Sequence, residues 1–360
     1  MEFSRREFGK LALAGLPAAL SLDSLPTFAA AKPNSKWAGV QVGMNVPYNF
    51  GTGNYTTGDE IISRCVQLGI SGAELRAQPV ELFLGSPAAI AGAARGRAAR
   101  GAAPIATPGE TAPARGEGQP TGGAQAGAAG REGGRRGGGR APLTPEQEAA
   151  QKAAAEETRK WRAGVSLDKV KEFRKKFNDA GILIEIVKWD GIFNFSDEEL
   201  DYAFQVSNAL GAQALSSEIS VGQTKRLGQF ADKHKMQVGY HGHAETTPAI
   251  WEAAFAEAKY NAANLDLGHF VAGNNTSPVP FLKQYHDRIT HVHVKDRKLN
   301  NGPNVPFGQG DTPIKEVLQL MRDNKWRFQA TIEFEYPVPP GSDRMAEIAK
   351  AIDYCKGCLV

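Results

Sequence analysis

Eight short apolar runs alternate with helix-forming stretches along most of this chain, and that alternation limits the fold more than any other feature. The runs fall at residues 39–44, 72–75, 182–187, 212–215, 236–240, 263–267, 289–294 and 330–334. Strands this short and continuously apolar need cover on both faces, so the helices between them must pack on a parallel sheet, either closed or open and doubly wound. Closure is the expected outcome, giving an α/β chain of the (β/α)8 TIM barrel class. Setting aside residues 1–31 and 86–143 leaves 271 of the 360 residues, close to the ~250 such a barrel uses. No GxGxxG follows the first run, which argues against an open dinucleotide-binding sheet. Helix starts are visible as capping boxes at Ser196-Asp197-Glu198-Glu199 and Thr144-Pro145-Glu146-Gln147, and Gly211 stands as the stop of the helix begun at Ser196.

The two segments set aside have their own signatures. Residues 1–31 carry Arg5-Arg6, an apolar stretch from Leu11 to Leu22 and small residues Ala29-Ala30-Ala31, the order of a twin-arginine export signal. The expectation is a mature protein beginning near Lys32, exported to the periplasm or beyond, as one barrel domain over 32–360. No apolar run reaches the ~18 residues of a membrane span, so a soluble protein is expected once the signal is removed. Residues 86–143 hold fifteen of the forty Gly and eight Arg, with almost no large apolar side chains. Such a composition does not offset the entropy of ordering, so a disordered loop after strand two is expected. Its Arg-Gly clusters look like RNA-binding segments, yet an exported protein meets little RNA. That segment carries +5, leaving −2 for the rest of the +3 chain, which speaks against the basic surface a nucleic-acid enzyme needs. Three cysteines, Cys65, Cys355 and Cys358, do not make a disulfide scaffold. The terminal CxxC reads as two packing residues of a helix rather than a zinc or redox motif.

In a parallel barrel the chemistry sits at the C-terminal ends of the strands. Those ends read Lys188-Trp189-Asp190 after strand three, Ser216-Ser217-Glu218 after four and His241-Gly242-His243 after five. They continue with Asp266-Leu267-Gly268-His269 after six, His291 to Asp296 after seven and Glu333-Phe334-Glu335 after eight. Five of the seven His fall here. Alternation turns His241 and His243 to one face, as it does His291 and His293, and Glu333 and Glu335. Imidazoles and carboxylates converging from adjacent strands, with no thiolate among them, suit one divalent ion such as Mn²⁺, Co²⁺ or Zn²⁺. Burying so many ionisable groups without a cation would be costly.

From Gly39 onward, less the insert, the chain resembles the sugar phosphate isomerase/epimerase family of xylose-isomerase-like TIM barrels. The LDxGH phrase at 265–269, the HVHxKD phrase at 291–296 and Glu333 on strand eight carry the likeness. The resemblance implies a divalent metal held by Asp266, His293 and Glu333, with His269 contacting substrate. Where the epimerases place a Glu on strand five this chain has His241, so the fourth ligand is His241 or, from strand four, Glu218. Trp189 and Lys295 are further expected substrate contacts, and Phe193 offers a second apolar ring. Glu218, Glu335, His243 and Lys188 are the candidate acid/base groups, Lys188 also as stabiliser of an enediolate oxygen.

The expected activity is proton abstraction beside a carbonyl of a sugar, keto-sugar or glycoside, as isomerase, epimerase or lyase. Loss of the strand-five Glu weakens a symmetrical two-base epimerisation and favours elimination, as in the inosose dehydratases. Export, and the lack of a phosphate cradle beyond the short Gly308-Gln309-Gly310-Asp311 loop, favour a neutral substrate. The alternatives are a non-catalytic periplasmic carbohydrate-binding barrel and an endonuclease-IV-like phosphodiesterase. No nucleic-acid partner is expected.

Overall fold

The computed structural model describes residues 32–101 and 144–360; the expected export signal and most of the Gly/Arg-rich segment lie outside them. Among the described residues, eight parallel strands close on one another: β1 (Val40–Val46), β2 (Gly72–Arg76), β3 (Leu183–Lys188), β4 (Ala214–Glu218), β5 (Gln237–His241), β6 (Asn261–Asp266), β7 (Ile289–Val294) and β8 (Gln329–Ile332). Strand β1 pairs with both β2 and β8, which completes the barrel. All eight strands fall on the apolar runs. The chain is a (β/α)8 TIM barrel.

The register separates two faces. Val42, Met44, Ala73, Leu75, Val187, Leu215, Val238, Tyr240, Leu265, Val292 and Val294 belong to the apolar core packed beneath the helices. The alternate residues run round the inside in aligned rows: Glu74 beside Ile186, Lys188 beside Ser216, Glu218 beside His241, His241 beside Asn264, Asp266 beside His293. The lumen is therefore polar, where a barrel interior is ordinarily filled by branched apolar side chains. At its lower end Gln329 fills the space that Gly43 and Gly72 leave open. A Cβ on either glycine would stand 2.1–2.4 Å from the Gln329 amide.

Both capping boxes form. Ser196 and Glu199 exchange bonds at the start of helix Asp197–Leu210, as do Thr144 and Gln147 for helix Pro145–Ala163, and Gly211 closes the former in the left-handed conformation. Residues 87–101, assigned by composition to a disordered loop, instead form the helix Pro87–Gly101. Alanine and arginine are strong helix formers, Ala89 and Ala93 are buried, and Gly92 lies against the Tyr55 ring. Cys355 and Cys358 are buried and unpaired in the terminal helix Arg344–Leu359. Among the described residues no helix is long and apolar enough to cross a membrane.

Candidate active site

The row nearest the mouth brings His241, Asp266, His293 and Glu333 together, one donor atom of each lying within 4.8 Å of every other. All four residues are buried. Their local hydrogen bonds leave one face of each free. The His269 backbone N–H donates to Asp266 Oδ1 at 2.7 Å, because Asp266 caps the helix Leu267–Asn274. Asn45 Nδ2 donates to Glu333 Oε1 at 3.0 Å. His293 Nε2 meets Glu74 Oε2 at 2.6 Å. The second polar atoms, Asp266 Oδ2, Glu333 Oε2 and His293 Nδ1, are buried and face one another, Nδ1 lying 3.1 Å from Glu333 Oε2 and 3.7 Å from Asp266 Oδ2, while His241 Nδ1 is buried without a hydrogen-bond partner.

Lys295 stands over this cluster, with Nζ 2.7 Å from Glu333 Oε2, 3.1 Å from Asp266 Oδ2 and 2.6 Å from Glu335 Oε2. Its stem passes Gly268, where a Cβ would stand 2.4 Å from Lys295 Cγ, which accounts for the glycine of the LDxGH phrase. Burial alone would lower the Lys295 ammonium, but Asp266, Glu333 and Glu335 hold it well above its usual range. Burial would likewise raise the Glu333 carboxyl, and His293 and Lys295 keep it well below the ordinary value. His293 is favoured in its charged form because Glu333 and Glu74 outweigh its burial. His241 is held neutral by desolvation. Asp266, Glu333, Glu335 and Glu74 thus share one lysine and the charged His293, and a bound cation would relieve the remaining imbalance. The converging nitrogens and oxygens form a mixed N/O donor set that fits a divalent ion.

Two acid/base groupings flank the cluster. Glu218, on β4, accepts from Lys188 Nζ at 2.6 Å and lies 3.2 Å from His243 Nε2. Its side chain is 45% exposed, so it is within reach of a ligand. Glu335, beyond β8, accepts from Tyr48 Oη at 2.7 Å and pairs with Lys295. In a closed eight-stranded barrel β4 and β8 stand opposite each other. Arg297 Nη1 lies 2.7 Å from His269 Nδ1. Lys295 Nζ lies 3.2 Å from His269 Nε2, so a cationic donor faces each ring nitrogen. Burial pushes His269 down to about 4, which keeps the ring neutral at the mouth.

Trp189 does not reach this site. It lies in the layer between barrel and helices, where its indole N–H donates to Ser207 Oγ at 3.1 Å and its ring meets Phe195 and Tyr202 edge-on. The residue directly follows the inward-facing Lys188, and alternation sends it outward. Phe193 packs against the same core. The 308–311 loop is no phosphate cradle: the Gly308 and Gly310 N–H groups both donate to Asp296 Oδ2 at 2.8 Å, which gives the acid of the HVHxKD phrase a structural role. Glu74, Arg76, Asn45 and Tyr48 are missing from the sequence-based set. Glu74 and Arg76 alternate along β2 as His291 and His293 do along β7, and the same inspection of strand ends finds them.

A closed (β/α)8 barrel with buried imidazoles, carboxylates and lysines at its mouth defines the class of molecule. The model of the family described as xylose isomerase-like TIM barrel matches residues 219–358. The inosose dehydratase of Clostridium botulinum (strain Eklund 17B / Type B) is 29% identical over 133 residues, 31% of this chain and 44% of that protein. That of Clostridium botulinum (strain Alaska E43 / Type E3) is 27% identical over 170 residues, 41% and 51% respectively. The chain spans about half the length of the curated relatives it matches. Among solved structures, the probable 3-DHS dehydratase AsbF of Bacillus anthracis superposes with a TM-score of 0.52 at 12% identity, covering 87% of this chain and 98% of that one. D-psicose 3-epimerase of Clostridium cellulolyticum H10 does so with a TM-score of 0.50 at 8% identity, covering 89% and 99%. At such identities the likeness is one of fold.

Proposed function

We propose that this protein is a divalent-metal-dependent enzyme that abstracts a proton beside a carbonyl of a sugar, keto-sugar or glycoside. The observation that carries the reading is the convergence of His241, Asp266, His293 and Glu333, all buried, with one ligating atom of each within 4.8 Å of every other. These four residues would hold the ion, with Glu218 free for acid/base work. When bound, a divalent ion supplies Lewis acidity that polarises a carbonyl oxygen.

The chain's own groups divide the remaining work. Glu218, held ionised by Lys188 and His243 against the effect of burial, is the base. On the opposite wall Glu335 and Lys295 deliver the proton that the departing β-oxygen takes up, and Tyr48 fixes the Glu335 carboxyl by its hydroxyl. His269, set between Arg297 and Lys295, lines the mouth as a substrate contact. The partners of Glu218 and Glu335 differ, and this asymmetry favours elimination of a β-leaving group over a symmetrical epimerisation. The inosose dehydratases among the relatives point to the same reaction class. Action after twin-arginine export belongs to the same proposal, resting on Arg5-Arg6 and the apolar stretch behind them.

The test is NMR in D₂O of inososes, keto-sugars and 3-keto-glycosides with metal-loaded protein, parent beside Glu218→Gln. Deuterium uptake beside the carbonyl, or an enone product, is expected from the parent and not from the variant. Neither exchange nor product with every compound would overturn the catalytic reading and favour a binding barrel.

A further inference from the structure

We infer that Glu74 is a positioning residue for His293, selecting Nδ1 as the ring atom presented to the proposed ion; the inference rests on the metal reading above. Glu74 projects from β2 into the lumen and is fully buried. Its Oε2 lies 2.6 Å from His293 Nε2, and its Oε1 lies 3.4 Å from His291 Nε2. An ionised carboxylate only accepts, so the ring nitrogen facing it carries a proton. An imidazole protonated at Nε2 has its lone pair at Nδ1 once an ion displaces any proton there. Nδ1 is the atom turned to the cluster, 3.1 Å from Glu333 Oε2 and 3.7 Å from Asp266 Oδ2.

The neighbours agree with this assignment. The Asn264 amide lies 3.1 Å from the same His293 Nε2, and its Oδ1 has no partner. Exchanging the amide oxygen and nitrogen gives that oxygen the Nε2 proton as well, so both neighbours favour one tautomer. On the other side Thr290 Oγ1 meets His291 Nδ1 at 2.9 Å, which aims His291 Nε2 at the second oxygen of Glu74. Glu74 Oε1 and His291 Nε2, 3.4 Å apart, form no hydrogen bond, so the carboxylate is held at His293, the ring that reaches the mouth cluster through its other nitrogen.

Parent, Glu74→Gln and Glu74→Leu proteins are stripped of metal, checked for a folded state by circular dichroism, and titrated with Co²⁺ by calorimetry and visible absorption. ¹⁵N-histidine NMR of the Zn²⁺-loaded parent then identifies which ring nitrogen binds. The inference predicts Kd weaker by ~10–100-fold in Glu74→Leu and by less in Glu74→Gln, whose carbonyl still accepts the Nε2 proton. It also predicts zinc on His293 Nδ1 with hydrogen on Nε2. Equal Kd in all three proteins, or zinc on Nε2, overturns the role of Glu74 and leaves the metal reading standing. A parent that binds neither ion overturns both. Should Glu74→Leu fail to fold, the NMR assignment in the parent and the Kd of Glu74→Gln decide.

Discussion

Replacing Arg162 by methionine tests what holds the mouth of the barrel together. Arg162 Nε donates to Glu81 Oε1 at 2.9 Å and Nη1 to Glu199 Oε1 at 2.8 Å, with the guanidinium 4.2 Å from the centroid of the Phe195 ring. The three side chains are 11%, 9% and 8% exposed. They join the helix Ala77–Phe83 after β2, the helix Pro145–Ala163 and the helix Asp197–Leu210 after β3. Methionine keeps much of the length and packing but leaves two nearly buried carboxylates without their cation. Removing one partner of a buried pair costs ~3–5 kcal/mol, and two stranded carboxylates place this case in the upper half of that range. Arg159, 3.6 Å from Glu199 Oε2, offers only partial relief. The expected result is ~4–5 kcal/mol lost in urea unfolding and a fall in Tm of roughly 10–15 °C. The triple variant Arg162→Met, Glu81→Gln, Glu199→Gln buries no charge and is expected to recover most of the loss. An Arg162→Met protein within about 1 kcal/mol of the parent, or a triple variant no better than the single, would refute the reasoning.

Burial pushes the Cys65 thiol up to about 12 and raises Cys355 and Cys358 as well, so Ellman's reagent at neutral pH should find no reactive thiol in folded protein and three after denaturation; a fast-reacting pair would revive a redox CxxC. Burial would raise the Asp201 carboxyl, but Lys233 and His234 outweigh it and hold it low. A depressed carboxyl contributes its stability in full above the unfolded value of about 3.9 and loses it as pH falls through the lower folded value. Asp201→Asn should therefore cost up to ~1 kcal/mol at pH 7, the Lys233 partner being largely exposed, and less near pH 3; equal losses at both pH values in urea unfolding would contradict this. Trp189→Phe gives up the bond to Ser207 and part of the buried ring, an expected ~2–3 kcal/mol of stability, with turnover per folded molecule unchanged within about twofold. A large rise in KM with stability intact would restore Trp189 as a sugar platform.

The strands and both capping boxes were legible in the sequence because each depends on short-range spacing, whereas the ligand set rests on the family resemblance, with His241 or Glu218 as its fourth member. Alternation along a strand fixes which side chains face inward, and closure brings the strand ends together whatever the loops do. Trp189 was misassigned because its neighbour Lys188 takes the inward position and a one-residue step reverses the face. Helix Pro87–Gly101 was hidden by the glycine-rich composition that surrounds it. Tyr48 and Asn45 belong to the site through bonds to Glu335 and Glu333 that span almost the whole chain, and spacing along a sequence does not encode such contacts. Glu74 was within reach of the strand-end argument, whereas its partnership with His293 appears only once β2 and β7 face each other across the lumen.

The most direct test of the central claim is elemental analysis of protein purified without chelator, parent beside His293→Ala and Asp266→Ala. The account predicts near one equivalent of manganese, cobalt or zinc in the parent, lost in both variants, with the metal-free proteins still folded. A parent free of metal that takes up none of these ions on titration, or variants that retain the full equivalent, would contradict it.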